Sequence, residues 1–160
     1  MTRIHLGGDH AAYDLLVDLV QTLEGDGHDV VNHGPHSYDA ADDSPVFVLR
    51  AAEAVAAEPG SLGVVLGGSG NGEQMAANKV SGVRAALCYS DELARLAREH
   101  NDAQVISIGA RMNTVEQSRS MVRTFVSTAF SGDERHQRRL DMISAYEDDG
   151  AIPDLPDLRE

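Results

Sequence analysis

Among 160 residues there is one cysteine, Cys88, which excludes an internal disulfide. No apolar run approaches the roughly 18 residues that cross a bilayer, because Asp or Glu interrupts most of the chain. Positive charge is scarce. Thirteen Lys and Arg face 26 Asp and Glu, and the formal charge of −13 opposes nucleic-acid phosphates and argues against non-specific DNA or RNA binding. The opening residues MTRIHLGG lack the basic and apolar regions of a secretory signal, so a soluble, cytoplasmic protein is expected. The nucleotide motifs are missing as well: no Lys-Ser or Lys-Thr follows the glycine-rich stretch, and Gly68 and Gly70 are followed by Glu73 where a third glycine would stand. No HExxH or carboxylate cluster has metal-ligand spacing, so no metal and no other cofactor is expected.

What is present suffices for one buried core, since 42% of the residues are apolar. The expected organisation is a single domain over residues 1–150 and an acidic, Pro-containing tail over 151–160. Short apolar runs at Arg3–Leu6, Asp29–Val31, Leu62–Leu66, Arg84–Cys88 and Val105–Ile108 alternate with amphipathic stretches. This pattern predicts βαβ units in a three-layer α/β/α fold with a five-stranded parallel sheet. Leu15, Leu16, Leu19, Val20 and Leu23 form one helical stripe, closed by Gly25 and Gly27. Ser44-Pro45 reads as a capping hydroxyl followed by a first-turn proline, Ser90 opens another helix, and Thr114 to Gln117 has capping-box spacing. A last helix is predicted from about Asp133 to Tyr146.

In parallel sheets, ligands bind beyond the carboxyl ends of the strands. That rule selects Gly7-Gly8-Asp9-His10, the long polar connection from Asn32 to Asp43, the turn Gly67-Gly68-Ser69-Gly70-Asn71-Gly72-Glu73, Ser90, and Gly109-Ala110-Arg111. Four glycines within six residues are costly unless the backbone must turn sharply or touch a ligand, and their amides are candidates for an anion or oxyanion hole. Cys88 sits among Ala85, Ala86 and Leu87 and reads as a small core residue.

Gly7-Gly8-Asp9-His10-Ala11, the glycine turn with Ala76-Ala77-Asn78-Lys79, and Arg98-Glu99-His100-Asn101 together resemble type B ribose-5-phosphate isomerases over nearly the whole chain. The resemblance implies a Rossmann-like fold and metal-free interconversion of ribose 5-phosphate and ribulose 5-phosphate. It also implies a homodimer, or a dimer of dimers, whose sites lie between subunits. Many members carry a cysteine base where this chain has Gly67; a subgroup instead has a glutamate after the turn, here Glu73.

Carried over on that resemblance, Glu73 is the C2 base, Asp9 and His100 assist ring opening, and Ser69 relays protons between the sugar oxygens. The amides of Gly68, Gly70, Asn71 and Gly72 face the enediolate, and Asn101 binds a hydroxyl. His100 comes from the partner subunit. Arg111, Arg135, Arg139 and His10 take the phosphate, with Arg135 and Arg139 spaced i, i+4 on one helix face, and Arg138 is left to solvent or to a salt bridge. The plainer readings are a first-turn helix acid for Glu73 and a solvated basic turn for the arginines. Relatives usually have tyrosine where Ser44 stands, which keeps open an isomerase of a hexose 6-phosphate of the allose or galactose type. A non-catalytic sugar-phosphate-binding protein and a structural subunit of a hetero-oligomer are further alternatives.

Overall fold

A computed structural model describes residues 1–156. Residues 151–156 form no helix or strand, and the last four positions of the expected tail lie outside the described residues. Five parallel strands, β1 (Arg3–Gly8), β2 (Asp29–Asn32), β3 (Leu62–Gly67), β4 (Ala85–Leu87) and β5 (Val105–Gly109), lie in the order β2-β1-β3-β5-β4. The helices are α1 (Tyr13–Gly25), α2 (Pro45–Ala57), α3 (Asn71–Ala77), α4 (Asp91–Asn101), α5 (Val115–Ser127) and α6 (Glu134–Asp149). Among the described residues no helix is long and apolar enough to cross a membrane.

The central strands β1, β3 and β5 are covered on both faces, which is why β3 and β5 read as almost continuous apolar runs, while β1 buries a histidine, His5, between Ile4 and Leu6. On one face, Ile4, Leu6, Val64, Leu66, Ile106 and Ile108 meet the leucine stripe of α1 and residues of α4 and α5. On the other, Val65 and Val105 pack with Val48, Val55 and Ala77 of α2 and α3. These are the three layers expected from the sequence. Helix α6 stands apart: of its sixteen residues only His136 and Leu140 are buried.

Most local signals act as read. Thr114 makes the full capping box with Gln117, Ser90 accepts from the Leu93 amide, and Asp133 caps α6. Ser44 does not act as read. Its backbone is already helical and its hydroxyl caps nothing, so the turn begins one residue earlier, with the Asp43 carbonyl accepting from Val46. Strand β4 is shorter than its apolar run because it is an edge strand, and α6 continues three residues past Tyr146 before Gly150 closes it in the left-handed region.

The strand topology reverses between β1 and β3, and the crevice there is set by a close contact. An added Cβ at Gly7 would lie 2.6 Å from the Phe47 carbonyl oxygen, so the first turn of α2 rests on the backbone of β1. We expect Gly7→Ala to destabilise the fold by about 1–3 kcal/mol through overpacking. Urea denaturation measures this, and an unchanged midpoint would mean that the α2 seat gives way at no cost.

Candidate functional site

Strands β3 and β5 end side by side, Gly67 paired with Gly109, and the chain then folds back over that pair. A Cβ at Gly109 would come within 2.6 Å of the Ser69 carbonyl oxygen, and Gly70 needs φ +84° to make the bend. Four successive carbonyls of the turn are tied down: Gly67 by the Ala110 amide (2.8 Å), Gly68 by the Arg111 amide (3.0 Å), Ser69 by the Tyr89 hydroxyl (2.8 Å), and Gly70 by the buried Ser107 hydroxyl (2.7 Å) and the Gln74 amide (3.0 Å). With the carbonyls held, the N–H groups of Gly68, Ser69, Gly70, Gly72 and Glu73 have no protein acceptor among the described residues. Asn71 differs from expectation, since its amide donates to Ser69 Oγ at 3.3 Å. Consecutive unpaired amides in a turn can receive an anion or a developing oxyanion.

Glu73 lies in the first turn of α3 and folds back under this loop. It is 5% exposed, and its carboxylate fills the space a side chain at position 67 would occupy: an added Cβ there would lie 2.1 Å from the carboxyl carbon and 2.3 Å from each oxygen. Gly67 is therefore required for room. Glu73 does stand in the first turn, as the plain reading has it, and is in addition buried. Cys88 is 1% exposed and burial pushes its thiol up to about 12, which leaves it a core residue.

Across the crevice, Asp9 uses one oxygen to cap the short turn His10–Ala12 through the Ala11 amide (2.9 Å). The side chain of Arg111 packs beside Gly68 and is exposed. His10 is held by Asp42, whose Oδ1 lies 2.7 Å from Nδ1 and also accepts the His10 amide at 3.0 Å. That hydrogen bond raises the His10 pKa above its ordinary value; Asp9 adds to the effect, while desolvation and Arg111 oppose it. His10, Tyr13 and Tyr38 line a neighbouring hollow of about 230 Å³.

The remaining candidates lie elsewhere. Helix α4 starts beyond the carboxyl end of β4 and runs back, so His100 and Asn101 sit at the edge where the strands begin. Eleven residues of helix carry them about 16 Å from that end of the sheet. There the His100 ring lies 4.2 Å from that of His136, whose pKa is lowered by burial and then by His100. Asn101 donates to the Leu96 carbonyl at 3.4 Å. Arg135 and Arg139 flank His136 on α6 and are exposed, as is Arg138. One chain thus brings together Asp9, His10, Ser69, the turn, Glu73 and Arg111, and separates them from His100, Asn101, Arg135 and Arg139. Sequence reasoning missed Asp42, Ser107, Tyr89 and His136. Ser107, a lone hydroxyl within an apolar strand, offered the clearest signal. Among the described residues no three His, Cys, Asp or Glu side chains are grouped to hold a metal ion.

A turn of unpaired amides with a buried carboxylate near the switch point of a parallel sheet defines a class of α/β domain whose crevice can receive small, negatively charged molecules. Comparison with known proteins narrows the class. The sequence pattern of the ribose/galactose isomerase family matches residues 4–143, and the chain belongs to that family. It is 51% identical over 154 residues to ribose-5-phosphate isomerase B of Mycobacterium leprae, covering 96% of this chain and 95% of the relative. A solved structure of ribose-5-phosphate isomerase B from Mycoplasma genitalium with bound ribulose 5-phosphate superposes with TM-score 0.89 at 37% identity, covering 92% of this chain and 97% of that one. The type B enzyme of Trypanosoma cruzi gives TM-score 0.87 at 43% identity, with 92% and 97% covered.

Ser107→Ala should loosen the turn. Gly70 keeps the Gln74 amide, so the expected loss is one buried hydrogen bond, about 1 kcal/mol. Denaturation measures the loss, and hydrogen exchange should quicken at the Gly68 to Gly72 amides. Unaltered exchange would remove Ser107 as an anchor.

Proposed function

We propose that this chain is a cytoplasmic aldose-ketose isomerase interconverting D-ribose 5-phosphate and D-ribulose 5-phosphate through a cis-enediolate. The observation that carries the reading is the Glu73 carboxylate, packed into the vacancy at Gly67 directly beside five unpartnered amides. The reaction needs a base at C2 and donors for the oxygen that becomes negative, and these two groups are adjacent here.

In this reading Glu73 removes the C2 proton and returns it to C1. The carboxylate meets no hydrogen-bond donor among the described residues, so its lone pairs are available to a substrate. The amides of Gly68, Gly70 and Gly72 face the enediolate, and Ser69, which already gathers both nitrogens of Asn71, moves protons between O1 and O2. The free carboxylate oxygen of Asp9 receives a sugar hydroxyl. His100 gives a proton to the ring oxygen, Asn101 binds a hydroxyl, and His10, Arg111, Arg135 and Arg139 hold the phosphate.

These groups lie at both ends of one sheet, so a complete site requires a second copy to bring its His100 end against the Glu73 end. The exposed apolar side chains of α6, among them Ile143 (54%) and Tyr146 (58%), support pairing as a homodimer. Each dimer then carries two equivalent composite sites.

Glu73→Gln keeps the shape and cannot accept a proton. Turnover of ribose 5-phosphate should fall at least about 100-fold with KM little changed; near-normal turnover would remove Glu73 as the base. Mixing inactive Glu73→Gln with inactive His100→Ala chains after dissociation tests the shared site. Hybrid dimers keep one intact site in two, so about a quarter of the wild-type activity should return. Absence of recovery despite hybrid formation would place all the groups on one chain.

A further inference from the structure

The loop after β2 contributes one buried side chain to the crevice, and its use of two oxygens is unequal. The Asp42 side chain is only 8% exposed. Its Oδ1 takes both donors of His10, the backbone amide at 3.0 Å and ring Nδ1 at 2.7 Å, while Oδ2 is buried with no partner among the described residues. A carboxylate desolvated in this way needs a cation beside it, and its hydrogen-bonded neighbour is the His10 ring. We propose that Asp42 is a positioning residue for phosphate recognition: it grips His10 at Nδ1, sets a negative charge beside the ring, and leaves Nε2 as the donor presented to the substrate phosphate.

The charges around the ring are consistent with this role. Asp9 on the same turn, Asp42 on the loop after β2 and Arg111 on the loop after β5 act on it, and Asp14, Tyr13 and Tyr38 line the adjoining hollow. The bond to Asp42 leads the effects that raise the His10 pKa, with Asp9 adding and desolvation and Arg111 opposing. Because the value is raised, the fold favours the protonated ring, and that contribution is lost as pH rises through the folded value. In a chain of charge −13, a dianion is repelled at long range. An imidazolium and Arg111 at the same mouth supply the local exception. The double grip on His10 also fastens the long loop to the end of β1, so the ring's orientation and the loop's position are set together.

This inference rests on His10 being part of the phosphate clamp, and the test separates the two claims. Asp42→Asn keeps an acceptor oxygen and removes the charge; Asp42→Ala removes both. Nuclear magnetic resonance titration of the His10 ring reads its proton affinity directly. Sulfate, whose charge is constant across the range, serves as the anion probe, alongside steady-state kinetics with ribose 5-phosphate. In Asp42→Asn the His10 midpoint should fall by about one unit, equivalent to a tenfold change. Sulfate should bind several-fold more weakly near pH 8 and normally near pH 5.5, and KM should rise near pH 8 with kcat kept within about twofold. Asp42→Ala should bind sulfate weakly at both pH values, because the ring is no longer held. An unchanged His10 midpoint in well-folded Asp42→Asn overturns the role of Asp42 whatever the enzyme does. A lowered midpoint with unchanged sulfate binding removes His10 from the phosphate site, and the inference falls with it.

Discussion

A carboxylate buried where a neighbouring residue has no side chain governs the rest of this site. Sequestering an ionisable group costs free energy unless its surroundings compensate, and Glu73 is sequestered in a space that exists only because residue 67 is glycine. The turn must also be rigid, or the carboxylate would have no fixed wall. Rigidity comes from the carbonyl side, where Ala110, Arg111, Tyr89 and Ser107 each hold one peptide group. Fixing the carbonyls leaves the amides on offer, so one set of hydrogen bonds both shelters the acid and leaves its neighbouring N–H groups unpaired. The third and fifth strands, adjacent in the sheet, are what make that bracing possible.

The second organising fact is distance. Helix α4 starts near the glycine turn and delivers His100 and Asn101 to the far edge of the sheet, while α6 places its arginines at that same edge. The family to which the chain belongs includes an enzyme seen with ribulose 5-phosphate. Charge is divided in the same way: a mainly acidic surface carries two small basic groupings, His10 with Arg111 at one end and Arg135 with Arg139 at the other.

Much of this was legible beforehand, for identifiable reasons. Burial on both faces writes itself as nearly unbroken apolar runs in β3 and β5, and the capping chemistry of Thr114 and Ser90 is local, so both could be read from neighbours in sequence. Ser44 misled because the same Ser-Pro pair suits a cap or a first helical turn, and only the backbone upstream decides between them. The glycine turn was recognised as a site, yet Gly67 was credited with backbone freedom and a family substitution when its role is to vacate volume for a residue six positions on. Asp42 was invisible because its meaning depends on a loop folding back over β1, a long-range contact that leaves no periodicity. The separation of His100 from Glu73 followed from topology, since a helix after a parallel strand must return to the opposite edge.

The filled vacancy at position 67 also constrains how such chains can change over evolutionary time. An added methyl there would already lie 2.1 Å from the Glu73 carboxyl carbon, so a larger residue can enter only if that carboxylate withdraws or is itself replaced. Positions 67 and 73 should therefore be substituted together, not one at a time.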